Sequence, residues 1–168
     1  MAAHPTRRVV LAAALALPLA AASGCGGADV LAAPPHQAPD VTLLRSAITA
    51  EQLMIARYGA VLAGSSAAVT SALQPLLAEH RAHLAQLRSR LVVPAGSPAP
   101  SQRAPGAPAG VPSGQDAALA YLRDAEQTAA AALLARLPGA PASLAQLFAS
   151  ISASEATHVP VLDQAAAR

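Results

Sequence analysis

The chain has no lysine and no tryptophan, one phenylalanine, two tyrosines and a single cysteine. One cysteine excludes an internal disulfide framework. With so few aromatics there is little for bases to stack on, and every cationic side chain is an arginine. The formal charge is +2 for the whole chain; residues 1–24 hold Arg7 and Arg8 and no acid, so the remainder carries 2 − 2 = 0. No arginine cluster remains that could track phosphates, and nucleic-acid binding has nothing to rest on. A membrane span is missing as well, because the apolar run from Val9 to Ala22 is shorter than the about 20 residues a spanning helix needs.

That run follows Arg7 and Arg8 and leads into Ser23-Gly24-Cys25, the layout of an export signal. Ala22-Ser23-Gly24-Cys25 resembles a bacterial lipobox, in which small residues admit the peptidase and the cysteine thiol takes a diacylglycerol. The resemblance implies a lipoprotein signal peptide over 1–24 and a lipidated Cys25 that anchors the chain to the extracytoplasmic side of the cell membrane. Each buried methylene of a palmitate-type chain would contribute about 0.8 kcal/mol. The other reading is an ordinary secreted protein with a stray cysteine. Thr6-Arg7-Arg8-Val9-Val10-Leu11 is also similar to a twin-arginine signal, with Val10 where phenylalanine is usual, so the general and twin-arginine export routes both stay open.

Residues 25–39 join Cys25 to a stretch rich in Gly, Ala and Pro and read as a flexible tether. Folding is expected from Asp40, a good N-cap, so residues 40–168 form the domain. Four helical stripes follow. The first carries Leu44, Ile48, Glu51, Ile55, Tyr58 and Leu62 and stops at Gly64-Ser65-Ser66. The second carries Val69, Leu73, Leu76, His80, His83, Leu87 and Leu91, with Pro75 either kinking it or marking its first turn. The third carries Leu119, Leu122, Glu126, Ala129, Leu133 and Leu137 and ends at Pro138-Gly139. The fourth, with Ser143 as its expected cap, carries Leu144, Leu147, Ile151, Glu155, His158 and Leu162. No strand pattern competes.

The expectation is an all-α four-helix bundle. Its first and third connections are short and make antiparallel hairpins. Residues 94–113 are too dense in Pro, Gly, Ala and Ser for a regular element. Extended, they reach about 60 Å, whereas helices of this length span only about 36 Å. They can therefore cross the full height of the bundle between helices two and three; a loose loop in an up-down-up-down bundle is the alternative.

Each stripe is interrupted near its midpoint by ionisable groups: Glu51; His80 and His83; Glu126; Glu155 and His158. Side-by-side helices place these groups at one depth whichever way each helix runs. Unpaired buried carboxylates each cost several kcal/mol, so protonation, pairing with imidazole or a cation must neutralise the layer. Glu79, four residues before His83, adds to the supply. Carboxylates with imidazoles suit iron or another transition metal such as manganese or zinc. The bland readings are helix-edge glutamates and core histidines paired to Glu51 or Glu126. Tyr58 reads as core rather than as a redox group, and Pro160 frees the carbonyl of Ala156, which either opens a path for solvent or bends the helix.

This pattern resembles the ferritin-like superfamily, whose di-metal members carry a Glu on helices one and three and Glu-x-x-His on helices two and four. Glu51, Glu126 and Glu155-Ala156-Thr157-His158 match three helices. The second departs: keeping His83 in register puts His80 where a bridging glutamate is expected, with Glu79 one position away. A closer resemblance is to a ferritin-like domain of unknown function in actinobacterial lipoproteins, carried by Ala50-Glu51-Gln52-Leu53, Glu79-His80-Arg81-Ala82-His83-Leu84, Asp124-Ala125-Glu126 and Ser152-Ala153-Ser154-Glu155-Ala156-Thr157-His158. It covers about residues 40–167 and implies the fold; together with the lipobox and the Glu/His layer, the expectation is a membrane-anchored lipoprotein that binds a transition metal. The alternative function is a structural or interaction module of the cell envelope that keeps a relic site. A di-metal oxidase ranks below both because of helix two. Ferritin-like bundles often pair, and Ala-rich faces permit the close contact of a homodimer.

Overall fold

The computed structural model describes residues 39–92, 108 and 110–168; the signal, Cys25, the tether up to residue 38 and most of the 94–113 connection lie outside the described residues. Four helices form, α1 (Pro39–Leu62), α2 (Ala67–Arg90), α3 (Gln115–Arg136) and α4 (Ala142–Ala166), and a 3-10 turn at Leu137–Gly139 joins the last two. No strand occurs among the described residues. The all-helical architecture agrees with the periodicity and is compatible with a four-helix bundle.

Several boundaries differ from those expected. Asp40 lies inside the first turn of α1 rather than capping it, and its carboxylate accepts the Val41 N–H at 2.9 Å. Ser143 does not cap α4. Pro141 takes that place, because its extended backbone directs its carbonyl to the N–H groups of Leu144 and Ala145 at 2.9 and 2.8 Å. Ser66 caps α2, with its hydroxyl accepting the Val69 N–H at 3.4 Å. Before α3, Gly114 adopts φ +100°, a conformation that L side chains rarely reach. Pro75 is the ninth residue of α2, and the helix continues through it as α4 continues through Pro160. Both prolines are exposed, as are Ser71 and Ala156, whose carbonyls they leave free, so water can take the missing donor's place.

The interior consists of two apolar clusters. The first gathers Met54, Tyr58 and Val61 from α1, Val69, Leu73, Leu76 and Leu77 from α2, Leu119 and Leu122 from α3, and Leu162 from α4. The second gathers Leu44 and Ala47, Leu87, Leu133, and Leu144, Phe148 and Ile151. Fully burying a Leu, Ile or Phe contributes about 1.5–3 kcal/mol, which makes these clusters the main source of cohesion. The stripe of α1 is turned slightly from the expected one: Ala47, Met54 and Val61 are buried, while Ile48, Ile55 and Leu62 pack at the edge. Helix sequence thus runs from the second cluster to the first in α1 and α4, and from the first to the second in α2 and α3. The main pairings are α1 with α2, α3 with α4, α1 with α3, and α2 with α4.

Candidate metal centre

Between the two clusters every helix presents a polar residue. Glu51, His80, His83, Glu126, Glu155 and His158 are all buried, at 8% exposure or less, so none is a helix-edge residue. Glu79 is the exception; its side chain is half exposed and reaches the layer only from the rim. Together with Glu79, the three buried acids are all the glutamates of the chain. The layer sits where it does because the apolar positions on each side of it, Ala47 and Met54 in α1 or Ile151 and Leu162 in α4, are claimed by the clusters.

His80 is the hub. Its Nδ1 lies 2.9 Å from Glu51 Oε2 and its Nε2 lies 2.8 Å from Glu126 Oε1. His158 is also engaged at both nitrogens, with Nδ1 3.1 Å from Glu126 Oε1 and Nε2 3.0 Å from Glu79 Oε2. The Tyr58 hydroxyl donates to the same Glu126 Oε1 at 2.5 Å, and Ser154 Oγ donates to Glu79 Oε2 at 2.8 Å. His83 Nδ1 approaches Glu51 Oε1 to 3.3 Å, but neither atom has a hydrogen-bond partner, so this contact is electrostatic and not a directed hydrogen bond. Glu126 Oε2 and Glu155 Oε2 are likewise buried without one.

Electrostatics divides the acids. Burial works against charge on Glu126, yet the hydrogen bonds from His158, His80 and Tyr58 prevail and hold its pKa down at about 2. Burial also opposes a charged His80, and its bonds to Glu126 and Glu51 overcome that and raise it to about 9. Glu51 is lowered against burial by His80 and His83, and His158 is raised against burial by Glu126 and Glu79. Contact with His158 and then Ser154 lowers Glu79. Glu155 goes the other way: burial first, then the charges of Glu51 and Glu126, push it up to about 8. Burial and the adjacent Glu126 likewise push the Tyr58 phenol up.

Two close groups of metal-ligating atoms result, Glu51 with His80 and His83, and His80 with Glu126 and His158, each within a span of 4.8 Å. These buried Glu/His groups could hold a metal ion. Glu155 and Glu79 belong to neither. Glu155 borders a cavity of about 30 Å³ together with Glu51, Arg136 and the alanines 47, 50, 129 and 132. The donors fit a transition metal in type, and four orphaned buried atoms (Glu51 Oε1, His83 Nδ1, Glu126 Oε2 and Glu155 Oε2) leave capacity for one.

Two polar partners escape a reading by periodicity. Tyr58 was legible as core, and it is fully buried, but a phenol enclosed there needs an acceptor, and that acceptor is Glu126. Ser152, one turn before Glu155, donates to the Ala130 carbonyl at 3.0 Å and locks α4 onto α3. A serine within an apolar stripe is its only trace in the sequence. In comparisons with protein-family models, curated proteins and solved structures, none matches the chain.

Proposed function

We propose that this chain is a membrane-anchored, extracytoplasmic ferritin-like lipoprotein that binds a transition metal in its mid-bundle Glu/His layer, with Cys25 carrying the lipid. The observation that carries the metal reading is the set of orphaned atoms, since each buried donor or acceptor left unmade costs about 1–3 kcal/mol and a cation would engage several at once. The ferritin-like part of the reading draws support from helix direction. Ser66 at the start of α2 meets Gln115 at the start of α3 through a 3.4 Å hydrogen bond, and Arg136 at the end of α3 donates to Ser46 near the start of α1 at 2.9 Å. With the starts of α2 and α3 at one end, the 94–113 connection would run the height of the bundle, as a crossover does.

A bound metal would supply Lewis acidity or redox chemistry. The chain's own residues orient ligands and exclude water: Tyr58, His80 and His158 fix Glu126, and the two apolar clusters close the layer from both ends. A di-metal oxidase is not part of the proposal, because His80 stands where a bridging carboxylate is needed and both its nitrogens face carboxylates. Elemental analysis of the full-length chain after incubation with Fe(II), Mn(II) or Zn(II) tests the reading; less than about a tenth of an equivalent of each would end it.

The second reading, a structural or interaction module of the cell envelope with a relic site, is favoured by one observation. His80 and His158 satisfy all four ring nitrogens within the protein. Its mark would be a melting temperature that does not respond to added metal.

A further inference from the structure

His80 belongs to both close groups of metal-ligating atoms. Its Nδ1 lies 2.9 Å from Glu51 Oε2, in the first group, and its Nε2 lies 2.8 Å from Glu126 Oε1, in the second. Ionised carboxylates only accept hydrogen bonds, so a ring bonded to one at each nitrogen donates from both and carries two protons. Those protons mark two positions, one beyond each ring nitrogen, where positive charge already sits between imidazole and carboxylate.

A second imidazole stands beside each position. His83 Nδ1 lies 3.3 Å from Glu51 Oε1 without a hydrogen bond, and His158 Nδ1 lies 3.1 Å from Glu126 Oε1. Two imidazoles on one ion, with bonds of about 2.0–2.1 Å, have ring centroids about 5–6 Å apart. The His80 centroid is 5.9 Å from that of His83 and 5.1 Å from that of His158. Each carboxylate also keeps a buried oxygen that makes no hydrogen bond, Glu51 Oε1 and Glu126 Oε2. The second nitrogen of His158 points elsewhere, to the half-exposed Glu79, which belongs to neither group. Among the described residues His80 alone is common to both groups.

We infer that the layer takes two divalent transition-metal ions bridged by the His80 ring as an imidazolate, one on Glu51, His80 Nδ1 and His83, the other on His80 Nε2, Glu126 and His158 Nδ1. The inference rests on the metal-binding reading and deepens it to a stoichiometry and a bridge. Two protons leave the His80 ring and one leaves His158 Nδ1 for solvent, each freed lone pair goes to an ion, and no electron is transferred. Glu51, Glu126 and the imidazolate supply three of the four negative charges that two divalent ions need. Glu155, buried and bordering the same cavity as Glu51, is the remaining enclosed acid and has a place in the layer without being a ligand. Glu79 accepts the proton that stays on His158 Nε2 and so orients that ring. Ions across one imidazole stand about 6 Å apart, wider than the about 3.5–4 Å of centres that clamp a substrate between two metals. The pair therefore does not need the bridging carboxylate that His80 replaces.

Titration of the metal-free full-length chain with Zn(II), read by elemental analysis and by nitrogen-15 NMR of labelled histidine rings, tests this, with circular dichroism confirming that each variant is folded. Two equivalents are expected in the wild type, together with one ring that is metal-bound at both nitrogens and carries no N–H. His83→Ala and His158→Gln should each bind one equivalent and lose the doubly bound ring. His80→Gln should lack that ring too and hold zinc about tenfold more weakly or worse. One equivalent in the wild type, or two equivalents with an N–H on every ring, would overturn the inference and leave the metal-binding reading standing. So would two equivalents in both His83→Ala and His158→Gln, or a doubly bound ring that survives in His80→Gln. Less than about a tenth of an equivalent with Zn(II), Fe(II) and Mn(II) alike would remove the metal-binding reading and the inference together.

Discussion

His80 Nε2 lies 2.8 Å from Glu126 Oε1, with both side chains wholly enclosed between two apolar clusters. At that depth neither group can turn to water if the other is lost. Removing one member of such a pair costs about 3–5 kcal/mol, because a buried charge is left without its partner. Glu126→Ala should therefore destabilise the metal-free chain by about that much in urea unfolding. A loss within about 0.5 kcal/mol, the range of an ordinary surface substitution, would show that the pair does not hold the layer together.

The pH profile of the metal-free chain follows from three groups. His80, raised from 6.5 to about 9, contributes stability that is complete below pH 6.5 and is lost as pH rises toward 9. Glu126, lowered from 4.5 to about 2, contributes stability present above pH 4.5 and lost as pH falls toward 2. Glu155, raised from 4.5 to about 8, favours folding in its protonated form, so its contribution declines as pH rises from 4.5 to 8. Because Glu126 gains and Glu155 loses across the same region, the melting temperature should peak near pH 4.5, and calorimetry should find it lower at pH 9. In Glu155→Gln the decline between pH 4.5 and 8 should shrink; an unchanged slope would show that Glu155 does not carry it.

Metal should act in the opposite sense. Ligand nitrogens must be deprotonated and carboxylates ionised to bind a cation, so Zn(II) should raise the melting temperature more at pH 8 than at pH 5.5. Free ion at about a hundredfold excess over its dissociation constant adds about 2.7 kcal/mol. Equal shifts at both pH values would point to ions bound at surface carboxylates such as Asp116 and Asp124, which are exposed.

Phe148 anchors the second cluster and is fully enclosed. Replacing it with alanine leaves a void that neighbours of limited freedom cannot fill, at a cost of about 3–5 kcal/mol. Chemical denaturation of Phe148→Ala should show this loss with the ion-binding stoichiometry unchanged, because the residue lies in the apolar cluster and not in the polar layer.

Lipidation is tested separately from the bundle. Cys25→Ser should move the chain from the membrane fraction to the soluble fraction and abolish incorporation of labelled palmitate. Retention in the membrane fraction would place the anchor elsewhere.

Much of this was legible from residue order, and the misses have definite causes. The stripes of α2 and α4 placed His80, His83, Glu155 and His158 inward, and all four are buried. In α1 the expected Ile48, Ile55 and Leu62 gave way to Ala47, Met54 and Val61 at full burial. Larger side chains attract a stripe drawn from hydrophobicity, but close approach of neighbouring helices favours a small residue such as Ala47 at the contact. The α4 stripe likewise carried Leu147, which packs at the edge of the second cluster, whereas Phe148, about 100° further round the helix, is fully enclosed. The expected cap at Ser143 failed because Pro141 supplies a preset extended backbone two residues earlier.

By itself the sequence determined four amphipathic helices and an acid or imidazole at the middle of each, because a period of 3.6 residues decides which side chains share a face. It could not decide which helix faces which, or how far each is turned about its own axis. One residue along a helix is about 100° of rotation, and only packing against the two apolar clusters selects among such rotations. That selection brought Glu79 to the rim against His158 and set Glu155, whose Oε2 makes no hydrogen bond, beside a cavity. It also gave both nitrogens of His80 to carboxylates on other helices while leaving Glu51 Oε1 and His83 Nδ1 without a directed hydrogen bond. Which atoms are spent and which are free depends on distances of a few tenths of an ångström between helices, and those exist only once the bundle has closed.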